Sequence, residues 1–179
     1  MTEERYNELF KAHFARVWGF VRRRTGSDAD ADDVTAETFA VAWRRGAELA
    51  SEPDRLWLFG VARGVLANHR RSQERRHQLH LRLAAVEPPP VAYQDAPASD
   101  RQLAAALDEL SADDRELLLL RAWDGLEVAE IAQLLRVRPA TVSSRLHKAR
   151  RRLQSVLERQ DGPVRRTGDE QTARKGNSR

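Results

Sequence analysis

The chain has 179 residues, 31 Lys+Arg against 27 Asp+Glu, 41% apolar and 32% charged residues, and no cysteine. That is enough for one ordinary domain or two small ones around an apolar core, and it excludes a wholly disordered chain. Without Cys there is no disulfide, thiol nucleophile or thiolate metal site, and the five His, at 13, 69, 77, 80 and 147, lack metal-ligand spacing, so neither metal nor cofactor is expected.

Helical periodicity runs through nearly the whole chain, and no segment alternates like a strand. Tyr6, Phe10, Phe14, Val17 and Val21 recur at spacings of three and four over residues 3 to 24, predicting one amphipathic helix with Gly26 as a left-handed stop. Ser27 or Asp28 caps a second helix to about Arg45, whose first turn is rich in Asp, as the positive helix N-terminus favours. Its predicted buried stripe is Ala36, Phe39, Ala40 and Trp43, with Asp30, Asp33 and Glu37 on a narrow acidic face. Such a face suits a basic partner, although a solvated first turn would carry the same residues.

Pro53 is predicted to open a third helix to about Arg76, fraying to Ala85 and burying Leu58, Val61, Ala62, Val65 and Leu66. Gly60, Arg63, Gly64, Ala67, Arg70 and Arg71 fall on its other side. Small residues among arginines fit either a nucleic-acid backbone with a splayed base or close helix packing. The longest charge-free apolar run, Leu56 to Ala62, is far short of the roughly 20 residues that span a bilayer, and the N-terminus lacks the basic-then-apolar pattern of an export signal. No membrane insertion and a cytoplasmic location are therefore expected.

Residues 86 to 99 carry four prolines without periodicity and read as an extended linker, a tether between two independent units. Four further helices follow over 100 to 160, bounded by Ser111 and Gly125, and residues 161 to 179 have too few apolar side chains to order. The fold class is thus all-α, with a first helical domain at 1–85, the linker at 86–99, a second helical domain at 100–160 and a disordered tail.

Residues 136 to 160 hold eight Lys+Arg against one Asp+Glu, an excess of +7 that would suit phosphates, though a solvated basic helix has the same composition. EVAEIAQLLRVRPATVSSRLHKARRRL reads as a helix-turn-helix: a short helix, a turn at Arg136 to Arg138 and a longer helix around a core of Ile131, Leu135, Val137, Val142 and Leu146. Stepping by 100° per residue places Ser144, His147, Lys148 and Arg151 opposite the Val142–Leu146 stripe, with Ser143 on its shoulder. Thr141 belongs to the same leading turns, and Arg145, Arg150 and Arg152 on the flanks and the later turns are better placed for phosphates.

Three segments in order, YNELFKAHFARVWGFVRRRTGSDADADDVTAETFAVAWRR, PDRLWLFGVARGVLANHRR and LDELSADDRELLLLRAWDGLEVAEIAQLLRVRPATVSSRLHKARRRL, resemble the bacterial extracytoplasmic-function sigma factors. The resemblance implies no enzyme but a transcription initiation subunit that binds RNA polymerase core, melts the minus-10 promoter element with its first domain and reads the minus-35 element with its second. It assigns the acidic face to the beta-prime clamp helices, Arg63, Gly64, Ala67, Arg70 and Arg71 to minus-10 DNA, and Thr141, Ser143, Ser144, Arg145, His147, Lys148 and Arg151 to minus-35 DNA. It also implies an anti-sigma partner. The family often carries Asn against the flipped base, where Gly64 stands here, and Gly in the helix-turn-helix turn, where Arg136 stands. The alternative is a stand-alone helix-turn-helix regulator, which needs no stoichiometric polymerase.

Overall fold

A computed structural model describes residues 2–46, 54–82 and 98–160. Its helices are α1 (Glu3–Arg22), α2 (Asp28–Arg45), α3 (Arg55–Arg82), α4 (Ala98–Asp108), α5 (Ala112–Ala122), α6 (Val128–Leu135) and α7 (Pro139–Gln160), and the described residues contain no strand. The expected linker lies mostly outside the described residues, with Ala98 and Ser99 already in α4, and the expected disordered tail lies wholly outside them.

Short polar side chains start these helices by accepting otherwise unpaired backbone N–H groups, each such cap contributing about 1 kcal/mol. Thr2 Oγ1 takes the Arg5 N–H, Ser27 Oγ the Asp30 N–H and Ser111 Oγ the Asp114 N–H. Asp54 does this for α3, accepting the Trp57 N–H at 2.7 Å. The helix therefore begins at Arg55, and the expected opening residue, Pro53, lies outside the described residues. Gly26 is not left-handed; α1 ends earlier, where the Arg23 and Arg24 N–H groups bond back to Gly19 and Val21.

α1, α2 and α3 pack on one another around Val17, Phe20, Val21, Val34, Phe39, Leu58, Phe59 and Ala62, with the Phe20 and Phe59 rings stacked at 4.4 Å. The buried stripe of α2 differs from the sequence expectation. Ala31, Val34, Thr35, Thr38, Phe39 and Ala42 are inside, whereas Ala36, Ala40 and Trp43 are exposed. Two threonines that read as polar in a hydropathy pattern lie inside: Thr38 returns its hydroxyl to the preceding turn, Oγ1 donating to Val34 O at 2.7 Å, whereas the buried Thr35 hydroxyl has no partner among the described residues.

The second set of helices closes on α7, which packs against α4, α5 and α6 and buries Val142, Leu146, Ala149 and Val156. The two halves also meet directly. Gly60 of α3 lies under Leu134 of α6, Arg55 pairs with Glu130 at 2.9 Å, and Arg24 reaches Glu116 and Asp124. Two units joined by nothing but a tether are thus not what the described residues present.

His13, on α1, has a buried Nδ1 without a hydrogen-bond partner, and burial followed by the Arg16 charge lowers its pKa from 6.5, against an opposing pull from Asp54. Below pH 6.5 the unfolded chain then binds more protons than the folded one, so this contribution to stability is complete above 6.5 and declines as pH falls through the window beneath it. His13→Gln is expected to flatten the decline in melting temperature from about pH 7 to about pH 5. An unchanged slope would place the acid sensitivity elsewhere.

Candidate nucleic-acid interface

α6 and α7 form the expected helix-turn-helix. α6 is closed at its N-terminus by the Glu130 carboxylate accepting the Glu127 N–H at 2.8 Å, a bond that, with the Arg55 guanidinium, holds the Glu130 carboxyl below its usual range. At its other end Arg136 is left-handed, at φ 56° and ψ 46°, while the Val137 N–H bonds back to Ala132 O at 3.0 Å. A residue with a Cβ pays about 1–2 kcal/mol for that conformation. After allowing for the greater freedom of glycine in the unfolded chain, Arg136→Gly is expected to stabilise the second half by about 0.5–1 kcal/mol in chemical denaturation. A destabilised variant would mean that the Arg136 side chain contributes more than its backbone costs.

Pro139 opens α7 where its missing N–H is harmless. Along α7, Val142, Leu146 and Ala149 are buried and Leu153 half-buried, leaving Ser143, Ser144, Arg145, His147, Lys148, Arg150 and Arg151 exposed and Thr141 half-buried. All the candidate minus-35 residues therefore lie on or beside one solvent-facing strip of the helix. Arg152 is the exception among the flanking arginines. It pairs with the largely buried Asp114 and ties α7 to α5, so it is not a free phosphate ligand.

The candidate minus-10 residues on α3 divide. Gly64 and Ala67 are exposed, and nothing lies within 4 Å of where a Gly64 Cβ would stand. Arg63 is half-buried against the second half, donating to Leu134 O at 3.1 Å and facing Glu116 at 3.6 Å. Arg70 donates to Arg24 O and Arg71 to Asn68 Oδ1. Gly60, Arg63, Gly64, Ala67 and Arg70 line a cleft of about 1490 Å³ between the halves, together with Trp57, Arg45 and Arg136.

Of the three residues of the expected acidic face on α2, Asp33 and Glu37 are exposed and engaged by no other described residue. Asp30 is turned toward α3, 2.9 Å from His69 Nε2 and 3.1 Å from Gln73 Nε2, and its other oxygen accepts from the Ser27 hydroxyl. It braces two helices. An aromatic residue of α2 that the sequence pattern had placed in the core also lies outside: Trp43 is 43% exposed and meets the Tyr6 ring edge-on at 5.1 Å. With Glu3, Asn7, Ala40 and Arg44 these rings line a shallow groove. An exposed Trp in such a groove is the kind of residue that anchors protein partners.

Comparison with known proteins matches residues 9–76 to the family model described as Sigma-70 region 2 and residues 100–153 to Sigma-70, region 4. The ECF RNA polymerase sigma factor SigL of Mycobacterium tuberculosis is 35% identical over 154 residues, covering 84% of this chain and 87% of that protein. RNA polymerase sigma factor CarQ of Myxococcus xanthus is 28% identical over 158 residues, covering 87% and 91%. Among solved structures, the sigma factor RpoE in complex with the anti-sigma factor NepR from Bartonella quintana aligns with a TM-score of 0.68 at 22% identity, covering 86% of this chain and 96% of that one. CnrH in complex with the cytosolic domain of CnrY aligns with a TM-score of 0.62 at 23% identity, covering 86% and 88%. These two structures share the helical fold.

Proposed function

The chain belongs to the extracytoplasmic-function sigma factors of bacterial RNA polymerase, and from that premise we propose that its two helical halves divide promoter recognition between them. The first, within residues 1–85, docks on core polymerase through Asp33, Glu37 and the Trp43 groove and opens the minus-10 element along α3. The second, within 100–160, sets α7 into the major groove of the minus-35 element. The observation that carries this reading is the two-faced α7: Val142, Leu146 and Ala149 are buried, and Ser143, Ser144, His147 and Lys148 face solvent just after the left-handed turn. Near the start of a recognition helix, short polar side chains reach base edges, while arginines on the flanks meet phosphates.

The residues supply binding energy to strand opening and no bond-making group, so the chemistry remains that of the polymerase. A cytoplasmic location follows from that partnership, and an anti-sigma antagonist, as NepR is for RpoE, belongs to the same proposal. Run-off transcription with core enzyme and a promoter library tests it. Transcripts from a discrete promoter set, dependent on both core and this chain, are expected. Promoter binding without core, together with failure to co-elute with core, would instead make the protein a stand-alone helix-turn-helix regulator.

A further inference from the structure

We propose that the cleft between α3 and the α5–α6 segment is a binding site for a compact polyphosphate of the nucleoside di- and triphosphate class. Its volume is about 1490 Å³, and among the described residues that line it seven are arginines and three are acidic. Four of the arginines are engaged by carboxylates: Arg23 and Arg24 by Asp124, Arg24 and Arg63 by Glu116, and Arg115 by Asp108. Arg45, Arg70 and Arg136 have no carboxylate partner among the described residues; Arg70 gives one terminal nitrogen to Arg24 O at 3.1 Å and keeps its charge uncompensated. Three such guanidiniums, from the end of α2, the middle of α3 and the turn after α6, thus border one cavity. Each presents paired N–H donors in the geometry that phosphate oxygens accept.

Arg136 supplies a second, independent indication. It is the one residue other than glycine with a positive φ, 56°, among the described residues, and it is exposed. A left-handed backbone strains any residue with a Cβ, and such strain clusters at ligand clamps. A charge held there without a partner in the described chain is suited to an external anion. The remaining lining sets the class of that anion. Gly60, Gly64 and Ala67 admit a ligand close to the α3 backbone, and the half-buried Trp57 offers a ring on which a base can stack. The walls touch where Leu134 lies against Gly60 and Arg63 donates to Leu134 O. The cleft is blind on that side, which suits a short ligand with clustered charge better than a continuous strand. Such a ligand shares Arg70 with the face proposed for minus-10 DNA, but its binding does not depend on that assignment.

Calorimetric titration of the full chain with adenosine triphosphate, inorganic triphosphate and a short DNA single strand, in magnesium-free buffer at low salt, tests the site. Adenosine triphosphate is expected to bind about fivefold or more tightly than inorganic triphosphate, through stacking on Trp57. Arg45→Ala and Arg136→Asn are each expected to weaken its binding by about tenfold, the factor a hydrogen bond to a charged group typically carries. Asn tolerates the left-handed backbone, so the second loss follows the guanidinium and not the turn. Arg136→Gly is expected to lose the same affinity while gaining stability, a pairing that a merely structural side chain does not produce. Arg75→Ala, exposed on α3 but outside the cleft, is expected to leave binding unchanged. No binding of adenosine triphosphate, equal affinity for the two triphosphates, binding indifferent to the Arg45 and Arg136 changes, or binding of the single strand alone would each overturn the proposal; the last would leave the cleft as part of the DNA surface.

Discussion

Asp33→Arg combined with Glu37→Arg is expected to weaken binding to core polymerase by roughly 2–4 kcal/mol, since setting like charges against a basic partner costs several kcal/mol. Both side chains are exposed and engaged by no described neighbour, so the reversal removes nothing from the fold. Asp30→Asn, by contrast, is expected to loosen the packing of α2 on α3, because Asp30 accepts from His69 and Gln73. Titration of labelled chain with core, beside circular dichroism of each variant, separates the two effects. A folded double variant with native core affinity would move the docking surface off α2. Trp43→Ala adds a second arm: truncating an anchor in a docking groove typically costs about 2 kcal/mol or more.

On α7, Ser144→Ala and His147→Ala are expected to change which minus-35 bases are preferred, by roughly 1–3 kcal/mol for each base-specific hydrogen bond that the substitution removes. Arg145→Ala and Arg150→Ala are expected to weaken all promoters alike and to reduce the salt slope by about one per phosphate neutralised. Arg152→Ala belongs to neither class, because its guanidinium is engaged by Asp114; its removal is expected to lower the melting temperature of the second half instead. Binding of reconstituted holoenzyme to a panel of single-base promoter variants at several salt concentrations resolves these classes. Preference changes from Arg145 and Arg150, with none from Ser144 or His147, would mean that α7 presents a different face to the groove.

The helices and the α7 strip were legible because burial on one side of a regular helix imposes a period, and the period survives in residues such as Val142, Leu146 and Ala149. The turn at Arg136 was legible too, since a helix-turn-helix needs a left-handed residue whatever its identity. What failed was the distinction between apolar and buried. Trp43 has the right spacing from Phe39 for a core position, yet Thr35 and Thr38 occupy the inside of α2. Phe59 went unnoticed beside Leu58, although it stacks on Phe20. Least legible was the join between the halves. Arg24, Glu116 and Asp124 look like ordinary surface charges in a sequence, and only their convergence from points about a hundred residues apart reveals that they are buried together.

That separation has a consequence in time. At a synthesis rate of about 5–20 residues per second, roughly 5–20 seconds pass between the emergence of Arg24 and that of Asp124, its partner 100 residues later. The segment through Arg82, which carries α1, α2 and α3, is made before Glu116 exists. Every newborn chain therefore passes through an interval in which Arg24 has no carboxylate to hold and the α3 face is bare. A partner that meets the nascent chain on the ribosome encounters the first three helices before Glu116 and Asp124 are there to engage Arg24.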